Sequence, residues 1–121
     1  MPVEYWSIEA DLQKQVPGTP VVLGGDDSVP IPVFAAYEGR GPLCIVQVDA
    51  HVDWGDVIKG NPFGYGSTMR RAAELPWITG MVQVGIRGLG SGTADQIEDA
   101  KAWGLIDEIL AARTPEEKDK A

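Results

Sequence analysis

The run Leu43, Cys44, Ile45, Val46, Gln47 and Val48 constrains this chain more than any other segment, because it is nearly all apolar and rich in branched residues. Branched side chains suit the pleated surface of a strand. A short apolar run without polar alternation is the pattern of a strand covered on both faces in a parallel sheet, and Gly41-Pro42 marks its start. Residues 81–86 form a similar run, and residues 21–23 a shorter one that ends at Gly24-Gly25. Helical patterns separate these runs, and such an order needs right-handed crossovers. The fold expected is therefore α/β, with a mostly parallel sheet in a three-layer αβα arrangement.

The helical segments carry their own start and stop signals. In residues 4–16 the apolar side chains Tyr5, Ile8, Leu12 and Val16 recur at spacings of three and four, and Pro17-Gly18 ends the pattern. Residues 33–37 form a second helix after Pro30 and Pro32. Ser67 is read as the cap of a third helix, which contains Met69, Ala72, Ala73 and Leu75 and stops at Pro76. Thr93 caps a fourth that runs to Trp103, with Gly104 as its terminator. Residues 105–110 fit either a short helix or a fourth strand, and Asp107 and Glu108 tip the reading to helix. Residues 1–113 thus read as one domain and 114–121 as a polar, solvated tail.

Charge and composition exclude several functions. A net charge of -8 over 121 residues, with Arg70-Arg71 as the one basic cluster, does not suit a chain that neutralises phosphates, so no nucleic-acid partner is expected. No apolar run reaches the ~18 residues of a membrane span. Glu4, Glu9 and Asp11 interrupt the opening segment, which is unlike a secretory signal, so the cytoplasm is expected. Cys44 has no partner for an internal disulfide and reads as a small buried hydrophobe. Trp54, Trp77 and Trp103 are not spaced as one binding surface and read as packing residues.

The chemistry concentrates where the Leu43 to Val48 run ends. Asp49, His51 and Asp53 follow it at alternate positions, and on an extended segment alternate side chains point to one side. They would converge at the carboxyl end of a strand, where open α/β sheets place ligands. Two carboxylates and an imidazole suit a divalent cation such as Mn²⁺. The alternative is a turn in which His51 is hydrogen-bonded to a carboxylate. Asp26 and Asp27 form a second acidic pair after residues 21–23, either facing the same crevice or making an Asx-turn or helix cap. Residues 87–93, glycine-rich between a strand and a helix, have the setting of a nucleotide loop, but Thr93 stands where its third glycine belongs.

Four segments taken together carry a resemblance. Residues 23–30 (Leu-Gly-Gly-Asp-Asp-Ser-Val-Pro), 48–54 (Val-Asp-Ala-His-Val-Asp-Trp), 64–71 (Gly-Tyr-Gly-Ser-Thr-Met-Arg-Arg) and 83–91 (Gln-Val-Gly-Ile-Arg-Gly-Leu-Gly-Ser) resemble, in the same order, the ureohydrolase family of arginases and agmatinases, and its agmatinase-like members in particular. The resemblance implies an arginase-like fold, two Mn²⁺ ions, hydrolysis of a guanidino substrate such as agmatine with release of urea, and a homo-oligomer. It makes Asp49 a bridging ligand, His51 a ligand of one ion and Asp53 a ligand of the other.

This sequence also departs from the family. Asp27 stands where most members have a histidine ligand, and Tyr65 where many have a histidine near the substrate. Tyr65 becomes the catalytic candidate on that ground, although tyrosine, with a reference pKa of about 10, is a poor proton shuttle at neutral pH. The family's later Asp-x-Asp ligands and its substrate-binding Glu have no counterpart after Gly104. Two functions stand at this point: an incomplete hydrolase of C–N bonds in guanidino compounds, or an inactive shortened scaffold.

Overall fold

The computed structural model describes residues 18–88 and 90–107. The helix expected over residues 4–16, the tail from 114 and the domain boundary before it lie outside the described residues. The elements run in the order α1 (Pro30–Ala35), β1 (Leu43–Val48), α2 (Thr68–Ala73), β2 (Ile78–Val84), α3 (Ala94–Trp103) and β3 (Ile106–Asp107). Among the described residues the three strands form one sheet in the order β1-β2-β3, and both pairings are parallel. Ile45 lies opposite Met81 and Gln47 opposite Gln83, so aligned residues share a face.

That face is the covered one. Val52, Trp54, Met69, Ala72, Ile78, Met81, Ala100 and Leu105 form a buried cluster, against which Leu43, Ile45, Ile97 and Trp103 pack. Burial of a large apolar side chain contributes about 1.5–3 kcal/mol, so this cluster fixes α2 and α3 on the sheet. The tryptophans are packing residues, as their spacing suggested. Trp54 and Trp103 meet at 6.1 Å between ring centroids. The indole N–H groups of Trp77 and Trp103 donate to the carbonyls of Phe34 (2.8 Å) and Ala73 (3.2 Å).

The opposite face differs from expectation. Residues along β1 alternate between half-buried and exposed, and Val46 and Val48 are 68% and 81% exposed. Cys44 is exposed on the same side instead of buried. Covering helices lie on one face only among the described residues, so a both-sides-apolar strand has one side open. Residues 21–23 are not a strand: Val21 and Leu23 are exposed, and the segment pairs with no strand among the described residues.

β2 begins at Ile78 and stops at Val84, where Gly85 turns the chain at φ +102° and a Cβ would lie 3.1 Å from the Asp49 carbonyl oxygen. Residues 106–107 are strand, not helix. Gly104 takes the left-handed conformation at the end of α3 and sends the backbone back alongside β2, a tertiary pairing that local sequence does not show, and residues 108–110 of the expected helix lie outside the described residues. Thr93 caps α3 with a full capping box shared with Gln96, as expected. Ser67 occupies the cap position of α2 but makes no side-chain cap bond.

Candidate metal centre

The sequence that follows β1 does not stay extended. The chain bends at residues 50–51, and Asp53 takes a positive φ of 50°, a conformation that Asp tolerates better than most residues. This turn, and not strand alternation, aims the acidic side chains. The Asp53 carbonyl accepts from the N–H groups of Met69 and Arg70, both at 3.1 Å, and so caps α2 in place of the Ser67 hydroxyl.

Ligand-type oxygens of Asp27, Asp49 and Asp53 lie within 4.8 Å of one another. Asp27 reaches them from the turn before α1. The Thr68 hydroxyl, in the first turn of α2, donates to the Asp27 carbonyl and pins that turn to the site. The acidic pair divides its duties: Asp26 accepts from the Ser28 N–H at 2.7 Å in an Asx-turn, and Asp27 enters the cluster. His51 is not brought into the group of three. Its ring Nδ1 lies 3.1 Å from Asp49 Oδ1, and its backbone N–H donates to the same oxygen at 2.8 Å. Against a carboxylate oxygen, which accepts, Nδ1 is placed to donate, an arrangement that in the neutral ring puts the lone pair on Nε2. His51 is exposed at the rim.

The electrostatics follow from crowding like charges out of water. Burial, then the neighbouring Asp27 carboxyl, pushes Asp53 up to about 8, and burial pushes Asp27 upward as well. Asp53 is 8% exposed. Asp27 Oδ2 is buried without a hydrogen-bond partner. Clustered hard oxygens with an unpartnered acceptor among them suit a divalent cation, which would neutralise the cluster and fill the vacant acceptor. The donor set fits Mn²⁺ or Mg²⁺ better than a soft metal.

A cleft of about 290 Å³ opens beside Asp53, lined by His51, Asp53, Trp54 and Tyr65 and by Gly90, Ser91, Gly92 and Gln96. Tyr65 is 69% exposed on the loop before α2. The glycine-rich turn is a wall of this cleft and is stitched to the site, with the Ser91 carbonyl accepting from the Val52 N–H at 2.8 Å. A side chain at Gly92 would collide with Val52, its Cβ 2.4 Å from the Val52 Cγ1. Close approach, not phosphate binding, accounts for that glycine.

Gln47 and Gln83 belong to the site although neither is a ligand-type residue. Gln47 Nε2 donates to Asp53 Oδ2 at 2.7 Å, and Gln83, 1% exposed, donates through Nε2 to the Val52 carbonyl at 2.9 Å and to Gln47 Oε1. The signal was present: each is the single polar residue in a Val-Gln-Val stretch.

Fold and site together define a parallel α/β protein with a carboxylate cluster at the carboxyl end of its sheet. The chain belongs to the arginase family, whose model matches residues 7–114. Arginase 1, mitochondrial, of Oryza sativa subsp. indica is 34% identical over 96 residues, a match covering 78% of this chain and 27% of that protein. The mitochondrial agmatinase of Gallus gallus is 40% identical over 72 residues, covering 57% and 21%. The solved arginase from Medicago truncatula superposes with a TM-score of 0.75 at 30% identity, over 87% of this chain and 34% of that one. The chain therefore spans about a quarter of the length of these curated relatives. Among the described residues no helix is long and apolar enough to cross a membrane.

Proposed function

We propose that this chain supplies the first part of a two-cation ureohydrolase centre, in which Asp27, Asp49 and Asp53 are carboxylate ligands and His51 a further ligand through Nε2. The observation that carries the reading is the cluster of three carboxylates within 4.8 Å, one of them with a buried oxygen lacking any partner. Mn²⁺ is the proposed ion. Bound there, such cations acidify water and supply a nucleophile near neutral pH.

The reaction proposed for the complete centre is hydrolysis of a guanidino group with release of urea, and agmatine is the proposed substrate. The chain's own contribution is to hold the carboxylates together, to exclude water beneath them with Val52 and Trp54, and to bound the substrate cleft with His51 and Tyr65. Exposed Tyr65 can offer a hydrogen bond to substrate. The relatives support both arginine-type and agmatine-type substrates, since one is named an arginase and another an agmatinase. Association with further copies belongs to the same reading, supported by the open valine face of β1.

The test is to load the purified chain with Mn²⁺, measure retained metal, and assay urea from agmatine and from arginine. Retained Mn²⁺ that is lost in Asp49→Ala is expected, with urea released from agmatine in preference to arginine if the centre is complete. Retained metal without urea assigns the chain to an inactive scaffold. A chain that retains no Mn²⁺ contradicts the metal centre itself.

A further inference from the structure

Beneath the carboxylates lies a chain of amide contacts that runs across the sheet. Its polarity is fixed at one end, because the Val52 carbonyl can only accept. Gln83 must therefore present its Nε2 to Val52, at 2.9 Å, and the same nitrogen donates to Gln47 Oε1. With Oε1 so engaged, the Gln47 amide has one orientation left. Its Nε2 points at Asp53 Oδ2, 2.7 Å away.

The two glutamines are register partners on β1 and β2, so the sheet itself sets their separation. Gln83 also keeps a buried Oε1 with no partner, an arrangement that costs stability and that a purely structural core position would avoid by carrying an apolar residue. Asp53 meanwhile stands at a positive φ, and the Gln47 amide holds its carboxylate at 2.7 Å.

We infer that Gln47 and Gln83 are positioning residues: a relay from the Val52 carbonyl through Gln83 and Gln47 that fixes the rotation of the Asp53 carboxylate facing Asp27 and Asp49. The inference rests on the cation-binding reading of those carboxylates. Gln83 reaches the Asp53 carboxylate through Gln47 and also holds the Val52 carbonyl, in the peptide that precedes Asp53, so the two glutamines are coupled supports. Removing Gln47 frees the Asp53 carboxylate to turn, and removing Gln83 releases both the Gln47 amide and the Val52–Asp53 peptide.

The test uses the full chain and Mn²⁺ itself. Affinity is measured by titration calorimetry for the wild type, Gln47→Met, Gln83→Met and the double variant, and metal-free thermal unfolding is measured alongside. Methionine keeps the length and volume of the side chain and removes the amide. Gln47→Met is expected to weaken Mn²⁺ binding by about tenfold or more, the range for partners that orient a metal ligand. Gln83→Met should weaken it by a similar factor, and the double variant should lose less than the two single losses combined.

Wild-type binding with affinity within twofold of wild type in folded Gln47→Met overturns the relay and leaves the metal centre standing. Fully additive losses overturn the coupling of the two glutamines. A wild-type chain that binds no Mn²⁺ overturns the relay and the metal reading together. Should Gln83→Met fail to fold, Gln83→Glu, which keeps the shape but offers Gln47 an acceptor, is expected to show the same loss of affinity. Unchanged Mn²⁺ affinity in folded Gln83→Glu contradicts the inference.

Discussion

The floor and the rim of this site are built differently. Asp53 on the floor is held through its carbonyl by α2 and through its carboxylate by Gln47, and burial drives it toward the neutral form. His51 and Tyr65 on the rim are exposed, and the ring of His51 is held by one contact to Asp49. Groups held against their own repulsion inside a protein are there for a counter-charge. Groups left free at an edge are there for what enters from solvent.

The sharpest way to break this contrast is Asp53→Asn. Asparagine tolerates the positive φ and removes the charge. Mn²⁺ affinity should fall by more than the about 100-fold that marks the upper range for orienting partners, while the metal-free chain becomes more stable above pH 8. Calorimetry and urea denaturation check the two halves. A variant that keeps Mn²⁺ affinity would place the cation elsewhere.

The pH dependence follows from the same group. With Asp53 raised from 3.8 to about 8, the folded chain holds a proton between those values that the unfolded chain has lost. Metal-free stability should therefore fall as pH rises from about 4 to about 8 and level off above, the reverse of a carboxylate stabilised by a salt bridge. Asp27 shifts in the same direction. Mn²⁺ uptake should tighten over that window and release protons, and saturating Mn²⁺ should flatten the stability profile.

Smaller effects belong to the rim. His51→Ala should weaken Mn²⁺ binding by about tenfold, less than any floor ligand, with the unfolding midpoint of the metal-free chain unchanged. Tyr65→Phe should leave Mn²⁺ affinity within twofold and stability within about 0.5 kcal/mol, and any effect should appear in the KM for a guanidino substrate. A large loss of Mn²⁺ affinity in Tyr65→Phe would erase the distinction between floor and rim.

The parallel order of β1 and β2 and the capping of α3 were legible because branched runs, Thr93 and Gly104 act locally. The ligand-type residues were legible by chemistry, but their arrangement was not. Alternation along a strand would have gathered Asp49, His51 and Asp53, whereas the turn at Asp53 gathers Asp49 and Asp53 with Asp27 and leaves His51 beside them. That turn depends on the start of α2 and the turn at residues 90–92, which are distant in sequence. The strand at 106–107 was hidden for a similar reason: pairing with β2 is a tertiary fact. The open face of β1 was unreadable because an apolar strand records what could cover it, not what does.

The central claim is that the three carboxylates share a cation. Crystals of the chain grown or soaked with MnCl₂ and measured near the manganese edge test it directly. An anomalous peak bounded by Asp27, Asp49 and Asp53 is the expected result; a map with no peak there, or with manganese only at His51 on the rim, contradicts it.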